Sequence, residues 1–269
     1  MDTINLMPGE RKDRKKVDNL IRLYSLIAGL SLVLFSTCAP SPEKAEPSVT
    51  EVLDHAIRAH GMEAIDSIQL AFTFRERDYT IELEGGKYLY TRSFTDSLGQ
   101  PVRDELSNAG LVRYRHDSLQ PLTAKDSAAY AGSVNSVRYF FLLPYGLRDP
   151  AVIAELLDTV DIRGRAYNQV RVTFEEAGGG EDFEDVYHYF FNDDTGELDY
   201  LAYTFEAEDG GIRFREAINK RRVNGILVQD YINYGLDGDD RDIASIARRF
   251  EAGELPELSR IENTAVRVQ

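Results

Sequence analysis

Residues 70–92 read LAFTFRERDYTIELEGGKYLYTR. Apolar side chains occupy every second position in Leu70–Phe74 and again in Tyr79–Leu83. A period of two is typical of β-strands that bury one face. Gly85-Gly86 then predicts a hairpin turn, with Lys87–Arg92 as the returning strand.

The same pattern extends through most of the chain. Further strands are predicted at Pro101–Leu106, Leu111–Arg115, Asp161–Ile162, Tyr167–Glu175, Glu184–Phe191, Glu197–Glu206, Gly211–Asn219, Val223–Tyr234 and Ile261–Val268. Consecutive hairpins without helices between them imply an antiparallel meander, which excludes the parallel α/β fold classes. Asp199–Phe205 has apolar residues on both faces, which indicates a sheet that curves around helices. We therefore predict a mainly antiparallel β fold with a few helices, arranged as a curved half-open barrel.

Helical patterns interrupt the strands at four places. Ser48, with Glu51 three residues later, predicts a capping box at the start of the first helix. Alanines predict a second helix at Asp126–Ala131, and Asp149-Pro150 predicts the N-terminus of a third. A short fourth helix is expected near Asp242–Phe250.

Residues 1–37 have the pattern of an export signal. Basic residues precede the apolar run LYSLIAGLSLVLF at 23–35. A signal peptide needs about 7–15 apolar residues and a spanning helix about 20, so this run favours a cleaved signal. It ends at Phe35-Ser36-Thr37-Cys38, which resembles a bacterial lipobox. The resemblance implies cleavage before Cys38 and a diacylglycerol on its sulfur; the alternative is an incidental cysteine in an uncleaved anchor.

Three segments follow from this reading. Residues 1–37 form the lipoprotein signal peptide, 38–48 a Pro-rich tether, and 49–269 a single half-barrel domain. The expected location is the outer membrane, with the domain lipid-anchored and facing the periplasm. The sequence leaves exposure on the cell surface open.

Composition excludes two classes of protein. The chain has 46 Asp and Glu against 31 Lys and Arg, a net charge of −15. Nucleic-acid binding requires a basic face that displaces phosphate counterions, so we expect no nucleic-acid partner. A single cysteine also excludes an internal disulfide framework.

Several short segments of the folded part form a recognisable succession. They are His60-Gly61, Phe72–Arg75, Ser133–Ser136, Leu143–Leu147, Asp149–Val152, Gly178–Gly180 with Asp182 and Asp185, Asp199–Tyr203, Arg213–Arg215 and Asp230-Tyr231. Together they resemble an uncharacterised family of bacterial lipoproteins. More distantly, the architecture is similar to the LolA/LolB lipoprotein carriers, and Tyr189–Leu198 resembles one of their hairpins. This resemblance implies a half-open barrel that wraps helices around an apolar cavity, and it implies no activity.

Aromatic residues are the first candidates for a ligand site. The 15 Tyr and 13 Phe offer apolar rings with polar tips, which suit an acyl chain beside a hydrated head group. The predicted lining is Phe72, Phe74, Tyr90, Tyr139, Phe140, Tyr145, Tyr203 and Phe205. Plain core packing is the alternative for each of them.

Arginines on the predicted strands are the second candidates. Six arginines alternate with apolar neighbours and are able to bind a phosphate or carboxylate. They are Arg75, Arg92, Arg113, Arg171, Arg213 and Arg215. The alternative is cross-strand pairing with Asp104, Asp185, Asp199 and Asp230. We predict Arg75, Arg213 and Arg215 as ligand-binding residues.

These observations favour a binding function. We expect no catalytic residue, metal or cofactor, because the four His lack a metal-ligand spacing and no nucleophile motif occurs in the folded part. The first hypothesis is a lipid-anchored binding or carrier module for a hydrophobic, acyl or lipid-like ligand. The alternatives are an envelope enzyme that uses an Asp/Arg/His cluster, or a structural or assembly partner of another envelope protein.

Overall fold

The computed structural model describes residues 46–63, 65–175, 185–206, 210–238 and 241–269. Residues 47–269 group into one compact unit. The predicted signal peptide, Cys38, most of the tether and Gly178–Gly180 lie outside the described residues.

Helices in the described ranges are few. They are α1 (Val49–Ala59), α2 (Ala124–Phe141) and α3 (Ile246–Glu251), with 3-10 turns at Tyr145–Arg148 and Ile243–Ser245. Ser48 and Glu51 form the predicted capping box of α1, and the Thr123 hydroxyl accepts a hydrogen bond from the Asp126 N–H at the start of α2. Across the described part of the chain, no helix is both long and apolar enough to cross a membrane.

The strands form two antiparallel sheets. They are β1 (Ser67–Phe74), β2 (Arg77–Glu84), β3 (Lys87–Thr95), β4 (Pro101–Ser107), β5 (Gly110–Arg115), β6 (Ser118–Gln120), β7 (Val152–Leu156), β8 (Val160–Ile162), β9 (Arg165–Phe174), β10 (Tyr187–Asn192), β11 (Leu198–Phe205), β12 (Gly211–Val223), β13 (Ile226–Asp237), β14 (Glu257–Ile261) and β15 (Thr264–Val268). The seven-stranded sheet has the order β15-β1-β2-β3-β4-β5-β6. The eight-stranded sheet has the order β14-β13-β12-β11-β10-β9-β7, with β8 also paired to β9.

α1 and α2 pack against the inner faces of the two sheets, α1 through four buried residues and α2 through Val134 and the aromatic residues at its C-terminal end. On α2, Phe141 stacks on Phe72 of the seven-stranded sheet at 3.9 Å between ring centroids. The preceding residue, Phe140, packs against Tyr203 of the eight-stranded sheet at 5.5 Å. Each helix therefore contributes to both cores, because side chains around a helix point in different directions.

A third core lies on the outer face of the eight-stranded sheet. There Phe250 of α3 packs against Phe214 at 4.5 Å and Tyr200 at 5.6 Å between ring centroids. This explains why Asp199–Phe205 is apolar on both faces, since one face meets the inner helices and the other meets α3.

The predicted fold class is confirmed, because both sheets are antiparallel, open at their edges and packed around helices. The helix predicted from Asp149-Pro150 is wrong. Residues Val152–Leu156 instead form β7, which pairs with the free edge of β9. Val152 and Ala154 alternate inward on this strand, so edge pairing and burial outweigh the local helix-start signal. The single strand predicted at Ile261–Val268 is also two strands, β14 and β15, in different sheets.

His60 joins the end of α1 to the eight-stranded sheet. Its Nδ1 lies 2.8 Å from the Ala56 carbonyl oxygen and therefore carries the proton, while Nε2 accepts from the Leu198 N–H at 3.5 Å. Burial lowers the pKa of His60 to about 4. Protonation at Nε2 would place two N–H groups face to face in a dry site, so the folded state needs the neutral ring.

This pKa shift predicts acid-sensitive stability. A histidine whose pKa falls from 6.5 to about 4 on folding contributes stability above pH 6.5 that is lost as the pH falls toward 4. Between pH 7 and pH 5, the unfolding free energy of the parent protein should fall by roughly 2 kcal/mol more than that of the His60→Gln variant. Urea unfolding of both proteins at the two pH values measures this difference. Equal losses in both proteins would contradict this role.

Gly61 allows the close approach of α1 to the β12–β13 turn. Its φ is +72°, and a Cβ at this position would lie 2.3 Å from the Gly225 carbonyl oxygen. Gly85, at φ +54°, has no atom within 4 Å of its would-be Cβ. A substitution at Gly85 therefore tests backbone strain alone, whereas one at Gly61 tests backbone strain together with a steric contact.

We expect Gly85→Ala to cost about 1 kcal/mol of unfolding free energy, from left-handed strain alone. Gly61→Ala should cost about 1–3 kcal/mol more, because the backbone must also move apart. Urea unfolding of the two variants measures the difference, and similar losses would argue against the contact.

Candidate functional site

A cavity of about 470 Å³ lies between α2 and the eight-stranded sheet, and part of its wall comes from β1. Its volume falls within the range of about 300–1,000 Å³ common for small-molecule sites. The wall contains Phe74, Arg75, Ser133, Ser136, Val137, Phe140, Phe141, Leu143, Asp185, Tyr187, Tyr203, Phe205, Glu206, Arg215, Leu227, Val228, Gln229, Tyr231, Ile261 and Asn263.

Aromatic rings form a continuous cluster behind the sheet side of the cavity. Tyr187 lies 5.6 Å from Tyr203 and 6.1 Å from Tyr189 between ring centroids. The Tyr139 hydroxyl is 2.9 Å from the Tyr189 hydroxyl, and burial raises the pKa of both phenols. These phenols are therefore neutral at physiological pH and bring no negative charge to the aromatic cluster.

Arg215 brings a positive charge into this wall. It pairs with Leu201 across β11 and β12, which places its side chain on the inner face next to Tyr203. Its guanidinium carbon lies 4.1 Å from the centroid of the Phe140 ring and 5.2 Å from that of Tyr203. Nη2 donates to the Tyr203 hydroxyl at 2.9 Å. Nε is buried without a hydrogen-bond partner. Among the described residues, no carboxylate forms an ion pair with Arg215.

A polar patch lies on β13 and the turn after β14. Gln229 donates through Nε2 to the Leu198 carbonyl at 3.0 Å and the Tyr231 hydroxyl at 2.6 Å. Its Oε1 is buried without a partner among the described residues. Burial raises the pKa of Tyr231 to about 12. Asn263 is tied to β13 because its N–H donates to Asp230 at 2.9 Å and its side chain to the Gln229 carbonyl at 3.0 Å.

The structure brings four of the predicted ligand-binding residues together. Phe74, Arg75, Tyr203 and Arg215 all line the cavity, as do the aromatic candidates Phe140 and Phe205. Arg75 is exposed at the β1–β2 turn, with its guanidinium carbon 5.1 Å from the centroid of the Phe74 ring. It lies at the rim, whereas Arg215 lies within the wall.

The other predicted residues lie elsewhere. Phe72 and Tyr90 are buried in the core of the seven-stranded sheet, where the Tyr90 hydroxyl accepts from Arg138 Nε at 3.1 Å. Tyr139 packs in the aromatic cluster behind the wall. The Tyr145 hydroxyl donates to Asp66 at 3.2 Å, and Arg213 pairs with Asp237 at 2.8 Å.

Three of the remaining strand arginines pair with acids. Asp104 is fully buried and accepts from Arg92 and Arg113 at 2.6 Å each. Arg92 also donates to Ser133 of α2 at 2.7 Å, and Arg171 lies 3.6 Å from Glu155. These contacts match the alternative of cross-strand pairing, and Arg215 differs from them.

Sequence reasoning missed the polar members of the wall. Ser133 and Ser136 lie one turn apart on α2, and their spacing of three was the available signal. Gln229, Tyr231 and Asn263 carried no signal, because only the packing of β13 against the β14–β15 turn brings them to the cavity. Across the residues the structure covers, no three potential metal ligands lie together.

The contrast between Arg92 and Arg215 gives a prediction on stability. Arg92→Met should lower the unfolding free energy by about 3 kcal/mol, because it weakens a dry ion pair. Arg215→Met should change the unfolding free energy by no more than about 1 kcal/mol, because no buried carboxylate would lose its cationic partner. Thermal and urea unfolding of the two variants provide the measurement. An equally large loss in Arg215→Met would make that arginine a structural residue.

Comparison with known proteins places the chain within a family. Solved structures similar to it include a LolA superfamily protein from Nitrosomonas europaea, with 10% identity, a TM-score of 0.48, and coverage of 82% of this chain and 94% of the other. A DUF1329 family protein from Desulfovibrio piger has 9% identity, a TM-score of 0.46, and coverage of 82% and 93%. No protein of curated function matches the sequence. A family model described as a family of unknown function, DUF6503, matches residues 29–263, so the chain belongs to that family.

Proposed function

We propose that this protein is a lipid-anchored envelope module that binds or carries a hydrophobic, acyl-chain-like molecule in the cavity between α2 and the eight-stranded sheet. The observation that carries the proposal is the cavity itself, about 470 Å³ with a wall of aromatic and aliphatic side chains. An apolar ligand in this space would remove that surface from water, which favours binding.

The polar groups of the wall support an amphipathic ligand. Arg215 and Gln229 each have an unpartnered buried polar atom, and both side chains line the cavity. Such atoms cost free energy in the empty state, and a ligand with a polar end offsets that cost. A purely hydrocarbon ligand would leave both atoms unpaired.

The anchor is part of the same proposal. Cys38 is the residue that receives the lipid, after removal of residues 1–37, and residues 38–48 tether the domain. A single half-barrel domain over 49–269 then faces the periplasm from the outer membrane. In this arrangement the cavity stays close to a source of acyl chains.

A block of the cavity tests the binding proposal. Ser136 lines the cavity and Asn135 does not, although both are exposed on α2. In the mature chain 38–269 carrying Cys38→Ser, we expect saturable uptake of a fluorescent fatty acid. Ser136→Phe should weaken uptake at least about tenfold by filling the space, and Asn135→Phe should leave it unchanged.

Two outcomes would contradict the proposal. The first is absence of saturable uptake by a protein whose circular dichroism and unfolding midpoint show that it is folded. The second is equal uptake by the Ser136→Phe and Asn135→Phe variants, which would place binding outside the cavity. Mass spectrometry of organic extracts of the purified protein identifies any molecule that it retains.

A further inference from the structure

Arg215 is anomalous in a chain so rich in acids. The sequence holds 46 Asp and Glu, and other inner or cross-strand arginines such as Arg92, Arg113 and Arg213 each meet a carboxylate. Within the described ranges, Arg215 meets two rings and one hydroxyl instead. A charged group placed in an apolar wall is costly unless a counter-charge arrives.

The geometry around Arg215 fits an anionic oxygen. Its Nε N–H is buried without an acceptor. The Tyr203 hydroxyl accepts from Nη2, so its own proton remains available to a second acceptor. The guanidinium carbon lies 4.1 Å from the Phe140 ring centroid and 5.2 Å from that of Tyr203, and the two rings are 5.5 Å apart, so the guanidinium rests beside both rings. A pre-oriented guanidinium beside a phenol is a donor set for a carboxylate or phosphate oxygen.

Acids near the cavity do not neutralise this donor set. Glu206 lines the cavity but pairs with Arg241. Asp185, which is 9% exposed, also lines the wall and has an interaction of its own, and the Nε of Arg215 still has no hydrogen-bond partner. The net charge of −15 lowers the local concentration of anions around the whole molecule. An anion therefore needs a local positive group, which Arg215 supplies within the wall and Arg75 at the rim.

The volume limits the apolar part of the ligand. A water molecule takes up about 30 Å³ of the liquid, and a methylene group is of similar size. A cavity of about 470 Å³ is therefore of a size that suits one long acyl chain.

From these observations, and resting on the proposed function, we infer that the ligand is a single-chain amphiphile with an anionic head, whose oxygen is held by Arg215 and the Tyr203 hydroxyl. The chain lies against Phe140, Val137 and Val228. The shared chemistry of the head is a negatively charged oxygen, which a fatty acid carboxylate and an alkyl phosphate both have.

Displacement of a neutral probe tests this inference. A pyrene-labelled hydrocarbon is bound to the mature chain 38–269 carrying Cys38→Ser. It is then displaced by hexadecanoate, hexadecyl phosphate, hexadecanol or a two-chain phosphatidic acid, each below its aggregation limit. We expect hexadecanoate or hexadecyl phosphate to displace the probe at about tenfold lower concentration than hexadecanol, a factor that corresponds to about 1.4 kcal/mol. The two-chain lipid should be the weakest competitor.

Variants separate the head-group site from the cavity. In Arg215→Gln the anionic ligands should lose their tenfold advantage over hexadecanol. Tyr203→Phe should lose part of the advantage, because the ring remains and the hydroxyl does not. Arg213→Gln is the matched control on the same strand, since Arg213 is already paired with Asp237, and it should keep the full advantage.

The possible results are distinguishable. Failure of the parent protein to bind the neutral probe overturns the proposed function itself. Probe binding with equal competition by hexadecanoate, hexadecyl phosphate and hexadecanol overturns the head-group inference alone, as does an unchanged advantage in Arg215→Gln. A larger advantage for one of the two anions identifies carboxylate or phosphate as the preferred head. Strong competition by the two-chain lipid overturns the single-chain inference.

Discussion

The packing of α2 between two open sheets is the constraint on which the rest of the structure depends. Neither sheet closes on itself, so each has an inner face that must be covered by other elements. Adjacent residues of α2 do this in opposite directions, with Phe141 stacked on Phe72 and Phe140 facing Tyr203. Where α2 instead presents the small side chains of Ser133 and Ser136, the space between helix and sheet is not filled. Small side chains on one helix thus contribute to the space that the cavity occupies.

Charge is distributed differently on the two sides of α2. Toward the seven-stranded sheet, the fully buried carboxylate of Asp104 binds Arg92 and Arg113, and a hydrogen bond from Arg92 to Ser133 ties α2 to this cluster. Toward the eight-stranded sheet, Arg215 rests on aromatic faces. In the first arrangement the charges are paired with each other and fix the helix. In the second, the Nε N–H of Arg215 has no hydrogen-bond partner. One helix therefore separates a structural ion cluster from a wall suited to binding.

The hairpins were readable from sequence because period-two alternation and glycine turns are local properties. Leu70–Phe74 and Gly85-Gly86 fall where they were predicted. Asp149-Pro150 gave a wrong helix prediction. The local sequence favours the start of a helix, but the residues after it pair with the edge of β9, which exists only in the folded sheet. The same limit applies to the site. Phe72 and Phe74 share one face, yet Phe72 lies under Phe141 while Phe74 reaches the cavity, a difference that depends on where α2 packs.

The turn between β14 and β15 connects strands of different sheets. Leu70 pairs with Val268, so β1 finds its outer neighbour almost a full domain length later in the chain. Until that pairing forms, the hydrogen-bonding groups along one side of β1 face solvent and are open to pairing with another molecule. Pairing between such distant segments raises the contact order, and high contact order slows folding. The last strand of the chain is therefore the one that covers the edge of the first.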